Sequence, residues 1–565
     1  MSAERSAAAK RTADARFVVT GVRVLLPVLV AVALVVPSLV WASLDRSIWP
    51  WDPAWYGEVS VDLWATLRTN PHHWSYAMTH AFGLKPPAVA WLGQFFVPFG
   101  AIVGRDAVAL LLSVIACQVA SLALVYAAVR RLAGDAPALA SALLVAASPL
   151  FVSMSHEYFA EPIQTLAVAW LLLILAAAAQ RRPALTAAQL PGVLALGMLA
   201  KLSSPAYLAA PAVGALLLVL LHRGRGPNRS RPWQDFAVVC SAIVSAVLVV
   251  GAVSWYRINF HAAIRHARDA SADTGLYGVD RGFLRQFPDW VERLRDATFL
   301  PHVWLVLGAL TVAALVLAAQ WPPRAALRDP RVVTAVACLV SIVVVLATFA
   351  SQPNQEVRYL LPLVPLLAAP VALGLRAARS RAVIAVALGV LTIEYLGVTL
   401  QGFGYAQRSS LVSYPIASLD RDSAFANALD GLISRTCVTG SASRINMVGG
   451  DYPWFNANTL EMIAFERHAE SGRRCYYTSL GYAEKDPWAA WKRVRDFHPP
   501  FYISIDYGNQ RNPLPADRAV AVARADAFNR VDVAIFNLVR RSPKFELIPE
   551  SRVSGFVVFR AVHGS

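Results

Sequence analysis

Charged residues are scarce in this chain of 565 residues. They make up 16% of it, whereas a soluble globular domain carries about 25%. The scarcity is uneven, because long apolar stretches alternate with short basic clusters up to residue 400, and the remainder has the composition of an ordinary soluble domain. The composition therefore excludes a wholly soluble protein and predicts a membrane domain followed by a water-exposed domain.

Acidic residues are fewer than basic residues, 36 against 52, which gives a net charge of +16. On a soluble protein, such a surplus would suggest nucleic-acid binding. Here the basic residues stand mostly at the ends of apolar stretches, where Lys and Arg mark the cytoplasmic side of a membrane protein. We therefore expect membrane lipids, and no nucleic acid, as partners of the chain.

Cysteine is also sparse, with five residues. Cys117, Cys240 and Cys338 lie in apolar stretches, where a free cysteine acts as a small packing residue. Cys437 and Cys475 lie in the water-exposed part, and a disulfide can persist there if that part is outside the cytoplasm. The sequence leaves this pairing open, because it does not give the distance between the two residues.

The apolar stretches predict about eleven membrane-spanning helices, since a spanning helix needs about 20 apolar residues. The first stretch is longer than the core of a signal peptide and is followed by no evident cleavage site, so we expect it to remain as an anchor. The predicted spans are 22–44, 106–129, 137–153, 162–180, 187–200, 204–221, 236–257, 301–320, 332–350, 359–375 and 382–400.

The basic clusters predict the orientation of these spans. Clusters at the N-terminus and after every second span share one face, which the positive-inside rule makes cytoplasmic. An odd number of spans then places the C-terminal part, where β-rich runs alternate with helical patterns, outside the cytoplasm. We expect a multi-pass protein of the cytoplasmic (inner) membrane with a cytoplasmic tail (1–21), a transmembrane domain (22–403) and an extracytoplasmic α/β domain (404–565).

The first outer loop carries an acidic aromatic segment and a lysine. Asp52 and Tyr56 are four residues apart, so they share a face if the segment is helical. Lys85 stands before two prolines, which stiffen the backbone and fix a compact charge suited to phosphate. Taken separately, the two features also fit an interfacial aromatic belt and a lysine that reaches to the membrane surface. Together they favour a site for a phosphate-bearing lipid.

The second outer loop contributes two acids. Glu157 and Glu161 precede an apolar helix, and Pro162 follows Glu161 directly. This pattern is typical of a favourable charge at the N-terminus of a helix. Because ionisable residues at the membrane are often functional, Glu161 is equally a candidate for a second acid near Asp52.

The later outer loops contribute basic residues. Loop 258–300 carries His266 and Arg268 before several glycines, which predicts either a mobile flap over a substrate or a solvated connector. The last outer loop begins a helix with Arg358 and Tyr359. The guanidinium group of arginine offers a forked donor for phosphate.

Four short segments follow one another along the chain. They are Asp52 with Tyr56-Gly57-Glu58, Lys85-Pro86-Pro87 with Trp91-Leu92, Leu199-Ala200-Lys201, and Arg358-Tyr359-Leu360-Leu361-Pro362. In this order they resemble the membrane glycosyltransferases of the GT-C fold. The resemblance is closest to the bacterial branch related to protein O-mannosyltransferases and to the aminoarabinose transferases that modify lipid A, and it covers roughly residues 20–400.

The resemblance implies a GT-C-like polytopic α-helical protein that transfers a sugar from a polyprenyl-phosphate donor. The acceptor is a lipid, a glycan or a protein on the outer face of the membrane. Asp52 matches the catalytic aspartate and acts as a general base in a single, inverting displacement. Glu161 falls where the family carries a second acid, and Glu157 is a further candidate for that role.

The resemblance also implies which residues meet the donor. Lys85, Arg358 and Tyr359 match positions associated with the donor phosphate, and Tyr56 joins them through its place on the helix face of Asp52. His266 and Arg268 are candidate flap residues, although their spacing matches the family imperfectly.

One departure from the family pattern concerns the second acid. The family often has Asp-Glu where this chain has Asp52-Pro53. Glu58 lies further along and would face away from Asp52 on a helix. Either one acid suffices, or Glu157 or Glu161 takes the second role.

The sequence assigns no cofactor. It shows neither a glycine-rich phosphate loop nor a cluster of His and Cys metal ligands, and a lipid-linked donor needs no nucleotide. A divalent cation held by acidic residues stays open.

Two other functions stay open as well. A transporter or flippase of lipid-linked sugars would also have many helices, but it should show internal repeats with paired broken helices, which are not evident. A non-catalytic homologue that binds polyprenyl lipids is compatible with the Asp52-Pro53 departure, because a shared fold does not guarantee shared chemistry.

Overall fold

The architecture was analysed in a computed structural model of the chain. The predicted cytoplasmic tail lies outside the described residues, as does most of the segment that follows the predicted domain boundary at residue 403. The structure describes residues 25–222, 232–272, 280–299, 301–319, 329–378, 380–405, 419–420, 424–437, 445–468, 475–507, 509, 511–523, 528–552 and 554–562.

Helices dominate the chain up to residue 402. A 3₁₀ segment, Val357–Leu363, leads directly into α16. The α-helices are α1 (Leu25–Leu44), α2 (Trp51–Thr69), α3 (Pro71–His80), α4 (Ala88–Gly93), α5 (Gly100–Val103), α6 (Asp106–Ala133), α7 (Asp135–Ala146), α8 (Pro149–Ser153), α9 (Glu161–Ala179), α10 (Pro183–Ala200), α11 (Ser204–Leu221), α12 (Pro232–Ala272), α13 (Phe283–Thr298), α14 (Pro301–Ala319), α15 (Pro330–Ala350), α16 (Val364–Ala378) and α17 (Arg381–Gly402).

Nine helical segments in the described part of the chain are long and apolar enough to cross a membrane. Several of them have proline at the first or second helical position, where the missing N–H group is not needed. The candidate spans are α1, α6, α9, α10, α11, Asp235–Ala272 within α12, α15, Val357–Ala378 and α17. The prediction of a polytopic α-helical membrane protein is therefore confirmed.

One predicted span, 137–153, is wrong as a continuous helix. α7 ends at Ala146 and α8 begins at Pro149, while Ser148 between them has an extended backbone (φ −67°, ψ 124°). A residue that precedes proline is sterically pushed out of the helical region, which explains the break. The other predicted spans each overlap a continuous helical segment.

The predicted outer loop 258–300 is also wrong over its first part. α12 is 41 residues long and continues to Ala272, so His266 and Arg268 lie on a helix. The charged residues in this stretch extend the helix beyond its apolar part instead of ending it. The glycines at 275 and 278 lie outside the described residues. α13 then forms a separate amphipathic helix with Trp290 fully buried.

Close helix packing holds the membrane domain together. α6 packs along α9, α10 packs between α9 and α12, and α11 packs against α15. Small residues allow these close approaches. A Cβ atom on Gly192 of α10 would lie 2.4 Å from Ser245 Oγ on α12, so a larger residue would force the two helices apart.

The C-terminal part forms a mixed five-stranded sheet with flanking helices, which confirms the predicted α/β domain. The strand order is β2-β1-β3-β5-β4, in which β1 is parallel to β2 and β3, and β5 is antiparallel to β3 and β4. The strands are β1 (Asn446–Val448), β2 (Tyr477–Ser479), β3 (Phe501–Ile505), β4 (Phe545–Leu547) and β5 (Phe556–Ala561). The helices are α18 (Ala424–Thr436), α19 (Ala457–His468), α20 (Pro487–Phe497), α21 (Ala516–Ala523) and α22 (Asp532–Arg541).

Both faces of this sheet are buried. Successive strand residues point to opposite faces, so Ile503 joins one apolar cluster and Tyr502 the other. On the neighbouring strand β5, Val558 pairs with Ile503 and Phe559 pairs with Tyr502. The sheet is therefore the centre of a three-layer domain.

A disulfide joins Cys437, just after α18, to Cys475, just before β2, with the two Cα atoms 5.6 Å apart. This answers the pairing that the sequence left open. Cys117 and Cys338 are buried and free, and Cys240 is free and half-buried.

We expect loss of this disulfide to destabilise the C-terminal domain. The bond closes a segment of 38 residues, and such a constraint on the unfolded chain is worth about 3–4 kcal/mol. The variant with Cys437→Ser and Cys475→Ser should lower the unfolding temperature of the protein in detergent. Cys240→Ser is the matched control, because it removes a free thiol. Equal unfolding temperatures for the double variant and the wild type would contradict the prediction.

Candidate active site

The candidate site begins with Asp52 in the first turn of α2, where an acid is favoured by the helix dipole. Lys85 Nζ donates a hydrogen bond to Asp52 Oδ1 over 2.6 Å. The Lys85 ammonium also lies 4.9 Å from the ring centre of Trp55 and 5.5 Å from that of Tyr56. The predicted proximity of Asp52, Tyr56 and Lys85 is thus present in the structure.

The turn before Lys85 explains how this side chain reaches α2. Phe82 and Gly83 both have a φ of 62°, in the left-handed region. The chain therefore bends after α3, and Lys85 is then held by the two prolines that follow it.

Glu161 is the first residue of α9, and its side chain is only 1% exposed. Two cations compensate its buried charge. Lys201 Nζ donates to Glu161 Oε1 over 2.6 Å, and Arg358 Nε lies 3.2 Å from the same oxygen. Removal of a carboxylate from water is costly unless such partners are present, so Glu161 depends on both.

Lys201 is a site residue for which the sequence predicted no role. It ends α10 with an extended backbone (φ −162°, ψ 143°), and α11 begins at Ser204. At this break the ammonium lies 3.8 Å from the ring centre of Tyr359. The available signal was a lysine in the middle of an apolar stretch, which is costly in a membrane unless it has a partner.

Arg358 joins the two acids. Its NH2 nitrogen lies 3.8 Å from Asp52 Oδ2, while its Nε faces Glu161. The guanidinium carbon lies 4.2 Å from the ring centre of Phe159, an arrangement that favours a cation. The 3₁₀ segment that carries Arg358 is held by Tyr207, whose hydroxyl donates to Tyr359 O.

The remaining predicted residues lie around this network. Glu157 interacts through space with Arg358 and Glu161, and His266 on α12 interacts with Lys85 and Asp52. Arg268 is exposed on the same helix. The structure therefore brings His266 to the edge of the site and leaves Arg268 on the surface.

The missing second acid of the Asp52-Pro53 segment has a structural counterpart. Glu161 enters the network through Arg358, whereas Glu58 points away and interacts with Glu461 of the C-terminal domain. Of the acids weighed for the second role, Glu161 is the one bonded into the network around Asp52.

The electrostatics keep Asp52 ionised. Burial alone would raise the pKa of Asp52, but the charges of Lys85 and Arg358 outweigh it and the pKa is lowered. Burial lowers the pKa of Lys85, and the charge of Asp52 opposes that shift. Burial raises the pKa of Glu157 to about 7, against the charge of Arg358, so this carboxyl group can carry a proton near neutral pH.

The same network brings together three cations and three carboxylates. Lys85, Lys201 and Arg358 meet Asp52 and Glu161, and the carboxylate of Glu356 lies 3.9 Å from Arg358 Nε. The ammonium and guanidinium groups suit an anion such as phosphate, which can replace a carboxylate as their partner.

The described residues contain no group of three or more His, Cys, Asp or Glu side chains able to hold a metal ion. The acids of the site are instead bonded to ammonium and guanidinium groups. A divalent cation therefore fits this arrangement poorly, and we derive no step through one.

Residues 84–250 match the family model of dolichyl-phosphate-mannose-protein mannosyltransferase. This segment includes Lys85, Glu161 and Lys201, and it includes neither Asp52 nor Arg358. No curated protein matches the chain.

Solved structures match nearly the whole chain. ArnT from Cupriavidus metallidurans in the apo state aligns with a TM-score of 0.54 and 13% identity, over 95% of this chain and 97% of that chain. ArnT from the same organism bound to undecaprenyl phosphate aligns with a TM-score of 0.52 and 13% identity, over 95% and 98%. The oligosaccharyltransferase of Archaeoglobus fulgidus in complex with Zn and sulfate aligns with a TM-score of 0.49 and 12% identity, over 85% and 67%.

The chain is thus a multi-pass membrane protein with the GT-C fold. The alignment with ArnT includes the C-terminal domain as well as the helical part. The predicted fold class and the predicted resemblance are both confirmed, and the roles of individual residues stay predictions.

We expect Glu161 and Lys201 to be strongly coupled in stability. Glu161→Gln and Lys201→Met each leave a charge with fewer partners, so each should lower the free energy of unfolding. Both changes together should cost less than the sum of the single changes, by about 1–3 kcal/mol. Chemical unfolding of the four proteins in detergent measures this coupling, and strictly additive costs would contradict it.

Proposed function

We propose that the protein is a glycosyltransferase that moves a sugar from a polyprenyl-phosphate donor to an acceptor. The observation that carries this proposal is the placement of Asp52 among Lys85 and Arg358 at the end of an apolar helix bundle. A lipid phosphate needs such cations beside a membrane, and an acceptor hydroxyl or amine needs a base. The match of residues 84–250 to a mannosyltransferase family supports the same class of reaction.

The proposed donor site uses the cationic side of the network. Lys85 and Arg358 each interact with one carboxylate oxygen of Asp52. Lys201 forms an ion pair with Glu161, which also interacts with Arg358. These groups would bind the phosphate of a donor whose polyprenyl chain lies along the apolar helices. The structurally similar ArnT has been solved with undecaprenyl phosphate bound, which supports a carrier lipid of this type.

The proposed reaction is a single displacement. The acceptor oxygen or nitrogen forms a bond to the anomeric carbon of the sugar while the bond from that carbon to the phosphate oxygen breaks. The electron pair of the broken bond leaves with the lipid phosphate, whose growing charge Lys85 and Arg358 stabilise. The acceptor proton passes to Asp52, and the anomeric configuration inverts.

Donor binding would also activate the base. In the structure Lys85 and Arg358 lower the pKa of Asp52, and a carboxylate with a low pKa is a weak base. A bound phosphate competes for both cations. The pKa of Asp52 then rises, so that Asp52 becomes a stronger base when the donor is in place.

We further propose that transfer takes place on the outer face of the cytoplasmic membrane. The basic clusters between spans favour a cytoplasmic N-terminal tail (1–21), a transmembrane catalytic domain (22–403) and an extracytoplasmic α/β domain (404–565). The acceptor, whether glycan, lipid or protein, would then reach Asp52 from the side of the α/β domain. Glu157 and Glu161 are candidates for the second acid, Tyr56 and Tyr359 line the donor site, and His266 and Arg268 stay flap candidates.

Asp52→Asn should abolish transfer while donor binding remains. Loss of a positioned base typically reduces the rate by about 10²–10⁴-fold. Mass spectrometry of glycoconjugates and polyprenyl lipids from cells should show that one glycan modification is lost and one polyprenyl-phosphate sugar accumulates. The comparison would therefore identify donor and acceptor together.

The matched control for this experiment is Asp430→Asn. Asp430 forms an exposed ion pair with Arg467 on the C-terminal domain, and such pairs contribute little. Full transfer activity in Asp52→Asn would refute the assignment of the base. If cells with the wild-type protein and cells with Asp52→Asn show the same glycans and lipids, a transporter or a non-catalytic lipid-binding protein is favoured instead.

Lys85→Met should move the acid limb of the pH–activity profile to higher pH. Lys85 is a main cause of the lowered pKa of Asp52, and Asp52 acts as a base only when ionised. Activity is therefore lost as the pH falls through the pKa of Asp52, and loss of Lys85 raises that pKa. The profile of kcat/KM in the free enzyme measures this limb. An acid limb at the wild-type position would contradict the prediction, whatever the loss in rate.

A further inference from the structure

The C-terminal domain packs directly on the helix that carries Asp52. α19 lies along α2, and the two helices approach closely at Gly57. A Cβ atom on Gly57 would lie 2.8 Å from Met462 Sδ and 2.9 Å from Trp49 Cζ3, so a larger residue would force Met462 or Trp49 to shift. α2 and α19 are thus in direct contact at this point.

Three hydrogen bonds hold the chain just before Asp52 to this domain. Thr459 Oγ1 donates to Trp49 O over 2.8 Å, and Asn458 Nδ2 donates to Trp51 O over 3.2 Å. The Trp51 indole donates to Asp451 Oδ1 over 2.9 Å. The backbone of the Asp52 segment is therefore positioned by the C-terminal domain, while its carboxylate is positioned by Lys85.

Two carboxyl groups meet in the middle of the same interface. Glu58 on α2 lies within hydrogen-bonding reach of Glu461 on α19. Glu58 Oε2 is buried, and Glu461 Oε1 accepts the N–H of Tyr477 over 2.7 Å. Since an ionised carboxylate has no proton to donate, the two groups can bond to each other only if one of them is protonated.

The surroundings of the two carboxyl groups favour the form of the pair that carries a proton. The other titratable groups that face it in the described structure are Asp62, one turn further on α2, and the Tyr477 ring on β2. Neither supplies a positive charge. Burial raises the pKa of Glu58, and the charge of Glu461 raises it further; burial also raises the pKa of Glu461.

We propose that Glu58 and Glu461 are positioning residues that share one proton, so that the shared proton holds α2 on the C-terminal domain and keeps Asp52 in place. Loss of the proton puts two negative charges side by side and loosens α2. The proposal rests on the proposed function, because the displaced group is the proposed base. Neither residue touches the substrate.

The sign of the pH effect follows from the raised pKa values. The interface is intact at low pH, and it is lost as the pH rises through the pKa of the pair. Asp52 has the opposite dependence, because its base form is lost as the pH falls. Activity should therefore have an acid limb from Asp52 and an alkaline limb from the Glu58–Glu461 pair.

Glu461→Gln tests the proposal with almost no change in shape. The glutamine oxygen can still accept the Tyr477 N–H, and its NH2 group can donate to ionised Glu58 at any pH. We expect the alkaline limb of kcat/KM to move to higher pH in the full-length protein. At one pH unit above the wild-type midpoint, the variant should keep about tenfold more of its maximal activity than the wild type. Glu58→Gln should act in the same way.

The matched control is Glu546→Gln, which removes an exposed carboxylate from β4 of the same domain. Its alkaline limb should stay with that of the wild type. An alkaline limb that also stays in place in Glu461→Gln and Glu58→Gln would overturn the proposal and assign that limb to another group, such as Lys85.

Hydrogen exchange provides a readout that does not need activity. In the wild type, the exchange of the amides at the start of α2 should accelerate at high pH by more than the intrinsic pH dependence of exchange explains. In Glu461→Gln this additional acceleration should be absent. If no transferase activity is found at all, this comparison alone decides the role of the pair. Identical corrected exchange in both proteins would overturn it.

Discussion

The need to pair charges that are withdrawn from water at the end of an apolar bundle constrains the rest of this structure. A buried carboxylate is tolerated only when cations replace its hydration. Arg358 lies between Asp52 and Glu161 and contacts both, so neither acid can be placed independently of it. Segments separated by about 300 residues are thereby fixed relative to one another. The outcome is a site of paired charges in which Asp52, the proposed base, is partly accessible, with a side chain 33% exposed.

The secondary structure meets this constraint because the charged residues stand at the ends of its elements. Asp52 and Glu161 begin α2 and α9, where negative charge is favoured, and Lys201 follows the last turn of α10, where positive charge is favoured. A charge in the middle of a span would face lipid or a packed neighbour. A charge at a break faces the space that the break opens. The proline-rich sequence around Lys85 has the same effect in a loop, since it stiffens the chain that presents the ammonium group.

The sequence predicted the parts of the site that have local signals and missed those that depend on distant contacts. Hydropathy and charge placement were enough for the membrane class, and the order of motifs led to Asp52, Lys85 and Arg358. Lys201 belongs to one of the four segments that carry the resemblance, but no role followed for it, because its partner Glu161 is 40 residues away and no local pattern links them. The sequence underestimates the length of α12, because the helix continues through the charged residues that follow its apolar part.

The position of α2 depends on two kinds of contact that respond to different events. Lys85 and Arg358 hold the carboxylate of Asp52, and a donor phosphate would compete with Asp52 for both. α19 holds the backbone of the same segment through hydrogen bonds from Asn458 and Thr459. The phosphate of the sugar donor would not compete for those hydrogen bonds. On the proposed mechanism, Asp52 can therefore gain proton affinity when the sugar donor binds, while its backbone stays in place. This division of roles gives a physical reason for a C-terminal domain packed against the first turn of α2, and such a contact, between segments 400 residues apart, has no signature in local sequence.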